Sequence, residues 1–533
     1  MKKKNRIVSI FLMLLMVTYT QAQNDPTIEW QNTIGGSDTD FLTSVSQTAD
    51  GGYIVGGYSK SNISGDKTEN TIGPDGEEDL WILKLDSFGD IEWQKTIGEN
   101  GMDFLTSVAQ TSDGGYIVGG YLYPNATGNI TADYWVIKLN SVGTVQWQNK
   151  IGGNNEDVLK DITQTTDGGY ILGGYSWSNA TGDKTENSNG DYDYWVVKLN
   201  NSGSIEWQNT IGGFGRDQLN AIEQTSDGGY ILGGWSRSNI SGDKSENIIG
   251  NSGLEDYWIV KLNVSGSIQW QNTIGGDKAD VLRDIAQTAD GGYVLAGHSK
   301  SDSSGDKTED NHSLSDDFWV VKLDSSGDIK WQNTIGGSLT DLLISVEQTS
   351  DGGYILGGQS TSGATGDKTE DTLSRDFWIV KVDASGIIEW QNTIGGNKAE
   401  VFGSISQTID DGFILGGWSH SDISKDKTEN SIGADDYWIV KLKESTLSIP
   451  ENDLGNDFAV YPNPSEGKIT IDLGKNYHQI NLRLFSVGGQ TILDKTIYDS
   501  ERMDLELDIA QGLYFISLQI PGGNSSFHKI IVY

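Results

Sequence analysis

Two sets of side chains recur along this chain at spacings that could do chemistry. The first is acidic. A Gly-Asp-Lys-Thr-Glu or Gly-Asp-Lys-Ser-Glu stretch places Asp66/Glu69, Asp183/Glu186, Asp243/Glu246, Asp306/Glu309 and Asp367/Glu370 three residues apart, and Asp426/Glu429 repeat the spacing after Lys425. Two more carboxylates recur with them: Asp40, Asp103, Asp157, Asp217, Asp280, Asp341 and Glu400 in one series, Asp79, Asp133, Asp193, Asp256, Asp317, Asp376 and Asp436 in the other. A hard cation such as calcium takes several oxygen ligands, so calcium is one reading. Asp side chains also accept hydrogen bonds from nearby backbone N–H groups and cap loops. Loop capping is the stronger reading, because a Lys separates each acidic pair and no EF-hand spacing occurs.

The second set is aromatic. Tyr58, Tyr121, Tyr175, Trp235, His298, Gln359 and Trp418 hold one equivalent position, and Trp177, Arg237 and His420 follow two residues later in three copies. A ring with an apolar body and a polar tip can stack on a sugar or a peptide side chain. Burial between packed elements is the commoner fate of such rings, but the change of residue from copy to copy weighs toward a ligand. Enzyme motifs are missing: there is no G-x-S-x-G elbow, no Walker A and no H-E-x-x-H. Paired carboxylates for glycoside cleavage stay compatible with so acidic a chain.

Composition narrows the field. The 533 residues carry 37 Lys and Arg against 75 Asp and Glu, a net charge of −38, which argues against nucleic acid as a partner. No Cys excludes disulfides, thiolate zinc sites and a Cys nucleophile. At the N-terminus, Lys2, Lys3, Lys4 and Arg6 precede the apolar run Ile7 to Val17, and Thr20-Gln21-Ala22 supplies small residues before Gln23. That layout is expected of a secretory signal peptide over residues 1–22, cut between Ala22 and Gln23. No later segment is apolar enough to span a bilayer, so no transmembrane segment is expected after signal removal.

The elements that must position the recurring side chains come in seven copies. A Trp-Gln pair begins at Trp30, Trp93, Trp147, Trp207, Trp270, Trp331 and Trp390, and a second Trp at Trp81, Trp135, Trp195, Trp258, Trp319, Trp378 and Trp438. Each copy reads as four strands, A to D: 41–48, an Asp-Gly-Gly turn, 53–58, a long polar loop, 80–85, a tight turn at Gly89, then 91–97. Seven four-stranded antiparallel units are expected to form a seven-bladed β-propeller over residues 24–442. The array opens on a lone D strand, 28–34, and ends on a lone C strand, 437–442. The first strand is therefore expected to complete the last blade and close the ring. The short A–B and C–D turns fall on one face. The long B–C and D–A loops fall on the other, where binding residues are expected.

After a linker at 443–456 the repeat stops, and residues 457–533 read as seven short strands of a small Ig-like β-sandwich. Val460-Tyr461-Pro462-Asn463-Pro464-Ser465 with Gly467, then Leu484-Phe485-Ser486-Val487-Gly488-Gly489-Gln490, then Gln511-Gly512-Leu513-Tyr514-Phe515 and the end Lys529-Ile530-Ile531-Val532-Tyr533 carry a resemblance. The segment resembles the type A C-terminal sorting domain of type IX secretion cargo, though Tyr533 stands where a Lys is common. The resemblance implies export through an outer-membrane translocon and a sorting peptidase as partners. It also implies a protein secreted from, or held on the outer surface of, a Gram-negative bacterium. The repeats resemble those of secreted propeller-like proteins with this tail. The function expected is binding or adhesion toward a glycan or protein through the long-loop face. The alternatives are a glycan-active enzyme with an acidic site at the ring centre, and a structural surface protein.

Overall fold

The computed structural model describes residues 26–73, 76–124, 131–250, 253–443, 459–487, 490–519 and 525–533. The expected signal peptide with Ala22 and Gln23, most of the linker, and Gly488 and Gly489 of the tail lie outside the described residues. The chain divides into two units, Met1–Glu444 and Ser445–Tyr533.

The first unit is a seven-bladed β-propeller of four-stranded antiparallel sheets. In blade 1 the strands are Asp40–Gln47 (A), Tyr53–Ser59 (B), Asp79–Leu85 (C) and Ile91–Ile97 (D). The other blades repeat the order. In blade 7 Thr27–Ile34 serves as strand D and pairs antiparallel with Asp436–Lys443, Ile34 opposite Tyr437 and Ile28 opposite Leu442. The ring is thus closed by the first strand, as its phase predicts, and no end of the array presents an unpaired strand edge.

Packing follows from the repeat. The A strands of neighbouring blades touch in a ring about the axis, while each D strand pairs only with its own C strand at the rim. Strand C is buried along its length, apart from Asp133 in blade 2 and Lys443 in blade 7, because both of its faces meet another blade. Trp81, Trp135, Trp195, Trp258, Trp319, Trp378 and Trp438 are fully buried, and replacing one by Ala would cost about 3–5 kcal/mol. The Trp-Gln pairs have a division of labour. In blade 1, Gln94 accepts a bond from the Trp81 indole at 3.2 Å and donates to the Asp66 carbonyl at 2.7 Å, so it ties strand D to strand C and the long loop. Trp93 meets Tyr116 of the next blade edge-on at 5.6 Å. Strand B needs glycine where blades approach. A Cβ on Gly57 would stand 2.0 Å from the Phe41 carbonyl oxygen, and one on Gly56 2.8 Å from Leu105 of the next blade.

Among the described residues the tail unit has five strands, not the seven expected: Ala459–Tyr461, Lys468–Ser486, Thr491–Glu506, Gly512–Gln519 and Ser525–Val532. The expected breaks near 474–479 and 498–502 are irregularities inside two long paired strands, with a register shift between Asp472 and Tyr477 and positive φ at Gly474 and Asp499. The first half of Lys468–Ser486 pairs with Ala459–Tyr461 and its second half with Gly512–Gln519. A parallel bridge from Ser465 to Val532 links the two edges, so the sheet wraps into a barrel-like form around Ile471, Leu482, Ile516 and Ile530.

Deleting residues 27–34 should lower the melting temperature of the propeller by about 10 °C or more and promote aggregation through the exposed C strand of blade 7. Calorimetry with light scattering reads both; an unchanged melting curve is incompatible with a ring that depends on this closure.

Candidate functional site

The acids resolve into two structural sets. In the long loops, Asp66 accepts a bond from Gly35 N–H at 3.2 Å and Glu69 from Thr96 N–H at 2.6 Å. The same bonds recur for Asp183 and Glu186, Asp243 and Glu246, Asp306 and Glu309, and Asp367 and Glu370. The Asp therefore ties the loop to the preceding blade and the Glu ties it to its own strand D. The Lys between them turns inward. Lys67 lies 4.9 Å over the Trp81 ring and donates to Thr96 Oγ1 at 3.0 Å. Burial pushes its amine down to about 8, with nearby acids opposing. The loop is a latch, and among the described residues no group of three or more His, Asp or Glu is arranged to hold a metal ion. The carboxylates weighed for calcium already accept backbone hydrogen bonds.

The other two acidic series meet at the seven blade junctions. Each acid opening strand A faces the acid opening strand C of the preceding blade: Asp40 faces Asp436, Asp103 faces Asp79, Asp280 faces Asp256, and Glu400 faces Asp376. All are buried. The backbone brings them together, since Asp40 N–H donates to Asp435 O at 2.8 Å and Asp280 N–H to Glu255 O at 2.7 Å. Burial pushes Asp280 up to about 6; burial first, then the carboxylate opposite, pushes Asp40 up to about 6, Asp103, Asp193 and Asp317 to about 7, and Asp256 to about 8. Two carboxyls this close cannot both ionise cheaply, so each junction favours holding a proton.

The aromatic column splits. Trp235, His298 and Gln359 are buried between blades, and Tyr58, Tyr121, Tyr175 and Trp418 are half-buried. Trp177 is 48% exposed. His420 lies 5.5 Å from Trp418 and bonds the Ala434 carbonyl at 3.0 Å. The rings connect across blades as an arc. Trp418 meets Phe41 at 4.9 Å, Phe41 meets Tyr58 at 5.2 Å, Tyr58 meets Phe104 at 4.9 Å, and Phe104 stacks on Tyr121 at 5.1 Å. In blade 3, Tyr175 meets Tyr192 at 5.3 Å and Trp177 meets it at 6.0 Å. The Tyr123 and Tyr192 hydroxyls both donate to Glu156. The arc therefore spans blades 7, 1, 2 and 3 on the long-loop side of the inner strands.

One further set escaped the sequence reading. Strand A carries a β-bulge in every blade, seen as a register shift between Leu42 and Ser44, Leu159 and Asp161, and Leu282 and Asp284, among others. A bulge leaves one residue unpaired and re-aims its side chain. The seven bulged residues are Thr43, Thr106, Lys160, Asn220, Arg283, Ile344 and Gly403. They sit on the innermost strands, two residues along strand A from the partners of the aromatic column, and Lys160 lies 5.7 Å over the Tyr175 ring. The next position inward holds Asp161 and Asp284, each accepting a backbone N–H from a following blade: Ile222 at 3.0 Å and Val346 at 2.8 Å. Burial pushes Asp284 up to about 7 and Asp161 up as well. The signal that could have found Lys160 and Arg283 is the one applied to strand B: this column differs most from blade to blade.

The comparisons with known proteins bear on the tail and the repeats. Residues 459–533 match the family model of the secretion system C-terminal sorting domain. In that unit the Asn463 side chain donates to the Lys529 carbonyl at 2.7 Å and accepts from Ile531 N–H at 2.9 Å, pinning the Tyr461-Pro462-Asn463-Pro464 segment to the last strand. Gly467 takes a φ of 95°, Gly512 opens its strand, and the Tyr514 hydroxyl bonds the Ala510 carbonyl at 2.6 Å. A chain with this tail is cargo of type IX secretion, and so is secreted or displayed at the cell surface. The chain is similar to the regulatory protein FlaEY of Caulobacter vibrioides, 25% identical over 31% of this chain and 17% of that protein. It is also similar to an uncharacterized WD repeat-containing protein of Acanthamoeba polyphaga mimivirus, 20% identical over 69% of this chain and 34% of that one. The chain thus spans about a third or less of the length of these relatives. Among solved structures, a DUF4221 family member from Bacteroides vulgatus aligns at 9% identity with a TM-score of 0.33, over 79% of this chain and 99% of that one. Prolyl oligopeptidase B from Galerina marginata aligns at 11% with a TM-score of 0.36, over 82% and 56%. The strand pairing itself, not these likenesses, defines the fold.

The junction carboxyls set a sign for pH dependence. The folded chain holds protons there that an unfolded chain releases near pH 3.8, so raising the pH favours unfolding. Lys67 and its equivalents are charged in both states below about pH 7 and oppose this trend only at the upper end of the range, near pH 8. The turn acids Asp50, Asp113 and Asp227, held down to about 2 by hydrogen bonds and a Lys, lose their contribution only as the pH falls below 4. The melting temperature should therefore be higher at pH 5 than at pH 8, and Asp256→Asn should reduce the difference. Thermal melts across that range decide it, and a melting temperature that climbs from pH 5 to 8 would sink the paired-carboxyl account.

Proposed function

We propose that this protein is an exported β-propeller binding protein that recognises an extracellular glycan at the axial opening on its long-loop face. One observation carries the reading. The residues that differ from blade to blade, the strand-B aromatics and the strand-A bulge residues, gather at one end of the axis, while the residues that repeat hold the blades together. A scaffold alone has no use for an arc of half-buried rings confined to four blades. Half-buried aromatics at a rigid opening suit stacking on sugar rings, because stacking needs area and orientation more than charge. The sorting tail supports delivery of this surface to the outside of the cell, where such ligands are met.

Glycosidase chemistry at the ring centre is the second reading, favoured by Asp161 and Asp284 on the inner strands and by the raised Asp284. Both carboxylates already accept backbone N–H bonds from a following blade, which suits a latch better than an acid and base waiting for a substrate.

A glycan array probed with the full chain should give selective binding without turnover. Tyr175→Ala and Trp177→Ala should weaken that binding about tenfold each while leaving the melting temperature within a few degrees. Product formation from any bound glycan would move the assignment to the second reading. Removal of residues 459–533 should leave the propeller in the periplasm, and cell fractionation that finds the truncated chain at the surface would overturn the export route.

A further inference from the structure

Lys160 and Arg283 stand apart from the other cations of this molecule. In a chain of net charge −38, most Lys and Arg of the propeller have an acid or a hydrogen-bond acceptor at hand. Among the described residues, neither Lys160 nor Arg283 has a carboxylate oxygen within 4.0 Å. The acids in electrostatic range are engaged elsewhere: Glu156 by the Tyr123 and Tyr192 hydroxyls, Asp316 by Lys300 at 3.7 Å. The two cations belong to blades 3 and 5 of the inner ring, and the Arg283 charge reaches Lys160. Both are bulge residues, so no ladder pairing fixes their direction. Thr43 and Asn220, at the same position in other blades, bond the next blade's Leu105 and Leu282 carbonyls at 2.9 and 2.6 Å. Lys160 and Arg283 make no such bond.

Lys160 is half-buried and Arg283 is exposed, so water reaches both cations while no carboxylate touches either. Burial and the neighbouring guanidinium push the Lys160 amine down to about 8, so it still carries its charge at neutral pH. Beside Arg283 sits His298, 6% exposed, whose Nδ1 has no hydrogen-bond partner. Burial and the Arg283 charge push that imidazole down to about 3, so it stays neutral and adds no third charge. Two solvent-reached cations without a contacting carboxylate, on the inner strands of a rigid ring, are placed to take an anion.

Resting on the glycan-binding reading above, we propose that Lys160 and Arg283 together bind the carboxylate of an acidic sugar, with its ring seated against Tyr175. A guanidinium presents a fork that matches a carboxylate bidentately, and the ammonium adds a point charge. Tyr175, beneath Lys160, supplies the apolar face a pyranose ring needs. The surrounding charge of −38 repels a long polyanion, so the ligand is a short glycan carrying a single uronate.

The test uses the full chain and four probes: glucuronate- and galacturonate-terminated oligosaccharides and their neutral glucose and galactose counterparts, titrated by calorimetry. A uronate should bind about tenfold or more tighter than its neutral counterpart, and the preference should shrink as salt rises. Lys160→Gln and Arg283→Gln should each remove most of that preference, read as the ratio of uronate to neutral-sugar affinity. Their melting temperatures should hold or rise, since each variant relieves a repulsion; a fall would assign the cations to the scaffold and overturn the proposal. Equal binding of acidic and neutral sugars would overturn the anion site and leave the glycan reading standing. Binding of none of the four overturns both. A preference for an acid-terminated peptide over either uronate would overturn the sugar assignment.

Discussion

Closure of the ring is the constraint on which the rest of this structure depends. A four-stranded blade has two apolar faces and cannot stand alone in water. Each blade is stable only between two others, and seven in a row leave two faces uncovered unless the first meets the last. The chain solves this by splitting one blade between its ends, so that Thr27–Ile34 pairs with Asp436–Lys443 and the Tyr437 hydroxyl bonds the Trp81 carbonyl of blade 1 at 3.0 Å. The same hydroxyl-to-Trp bond recurs at 2.9 to 3.0 Å from Tyr134, Tyr194 and Tyr257, so the closing junction is made in the same way as three of the six internal ones. Closure also creates the site. Seven inner strands brought around one axis turn seven separate bulge residues, up to 360 residues apart in sequence, into neighbours.

Charge is used in two opposed ways. At the junctions, acids are buried in facing pairs and hold protons; toward the short-turn face, strand-C lysines such as Lys84, Lys138 and Lys261 are buried and answered by the turn acids Asp50, Asp113 and Asp227 at 3.0–3.1 Å. These charges are satisfied within the molecule and repeat from blade to blade. Lys160, half-buried, and Arg283, exposed, do not repeat, and no carboxylate contacts either. A protein can carry many buried charges as structure when each has a partner. The uncompensated ones are therefore the informative ones.

Much of the fold was legible in the sequence for a simple reason: it is written seven times. The Asp-Gly-Gly turn, the apolar strand C and the Gly of the C–D turn recur in register, and the orphan strands at the two ends reveal the closure. The tail was legible in its motifs but not in its strand count. Gly474 and Asp499 look like turn residues, yet in long paired strands a positive φ can be absorbed as an irregularity without ending the strand. The acidic loops were legible as latches because a Lys between two acids opposes a cation, and the structure shows that Lys turned in over a Trp.

The candidate site was only half legible, and the reason is physical. Aromatic residues at the end of strand B announce themselves by size. A bulge leaves no such mark: the extra residue in strand A sits in an ordinary alternating run, and only the partner strand reveals that Leu159 and Asp161 lie opposite the adjacent Gly174 and Gly173. Sequence periodicity therefore assigns Lys160 to the wrong face, as one more polar residue on a half-exposed strand. Once the bulge is known, variation becomes meaningful. Positions that build the blade, such as the strand-C Trp or the strand-B Gly pair, are held to one or two residue types by contacts that every blade must make. The bulge position makes no contact that every blade must make, so Thr, Lys, Asn, Arg, Ile and Gly all stand there. In a repeat protein the scaffold is what repeats, and freedom from repetition on a rigid inner ring is where recognition has room to be built.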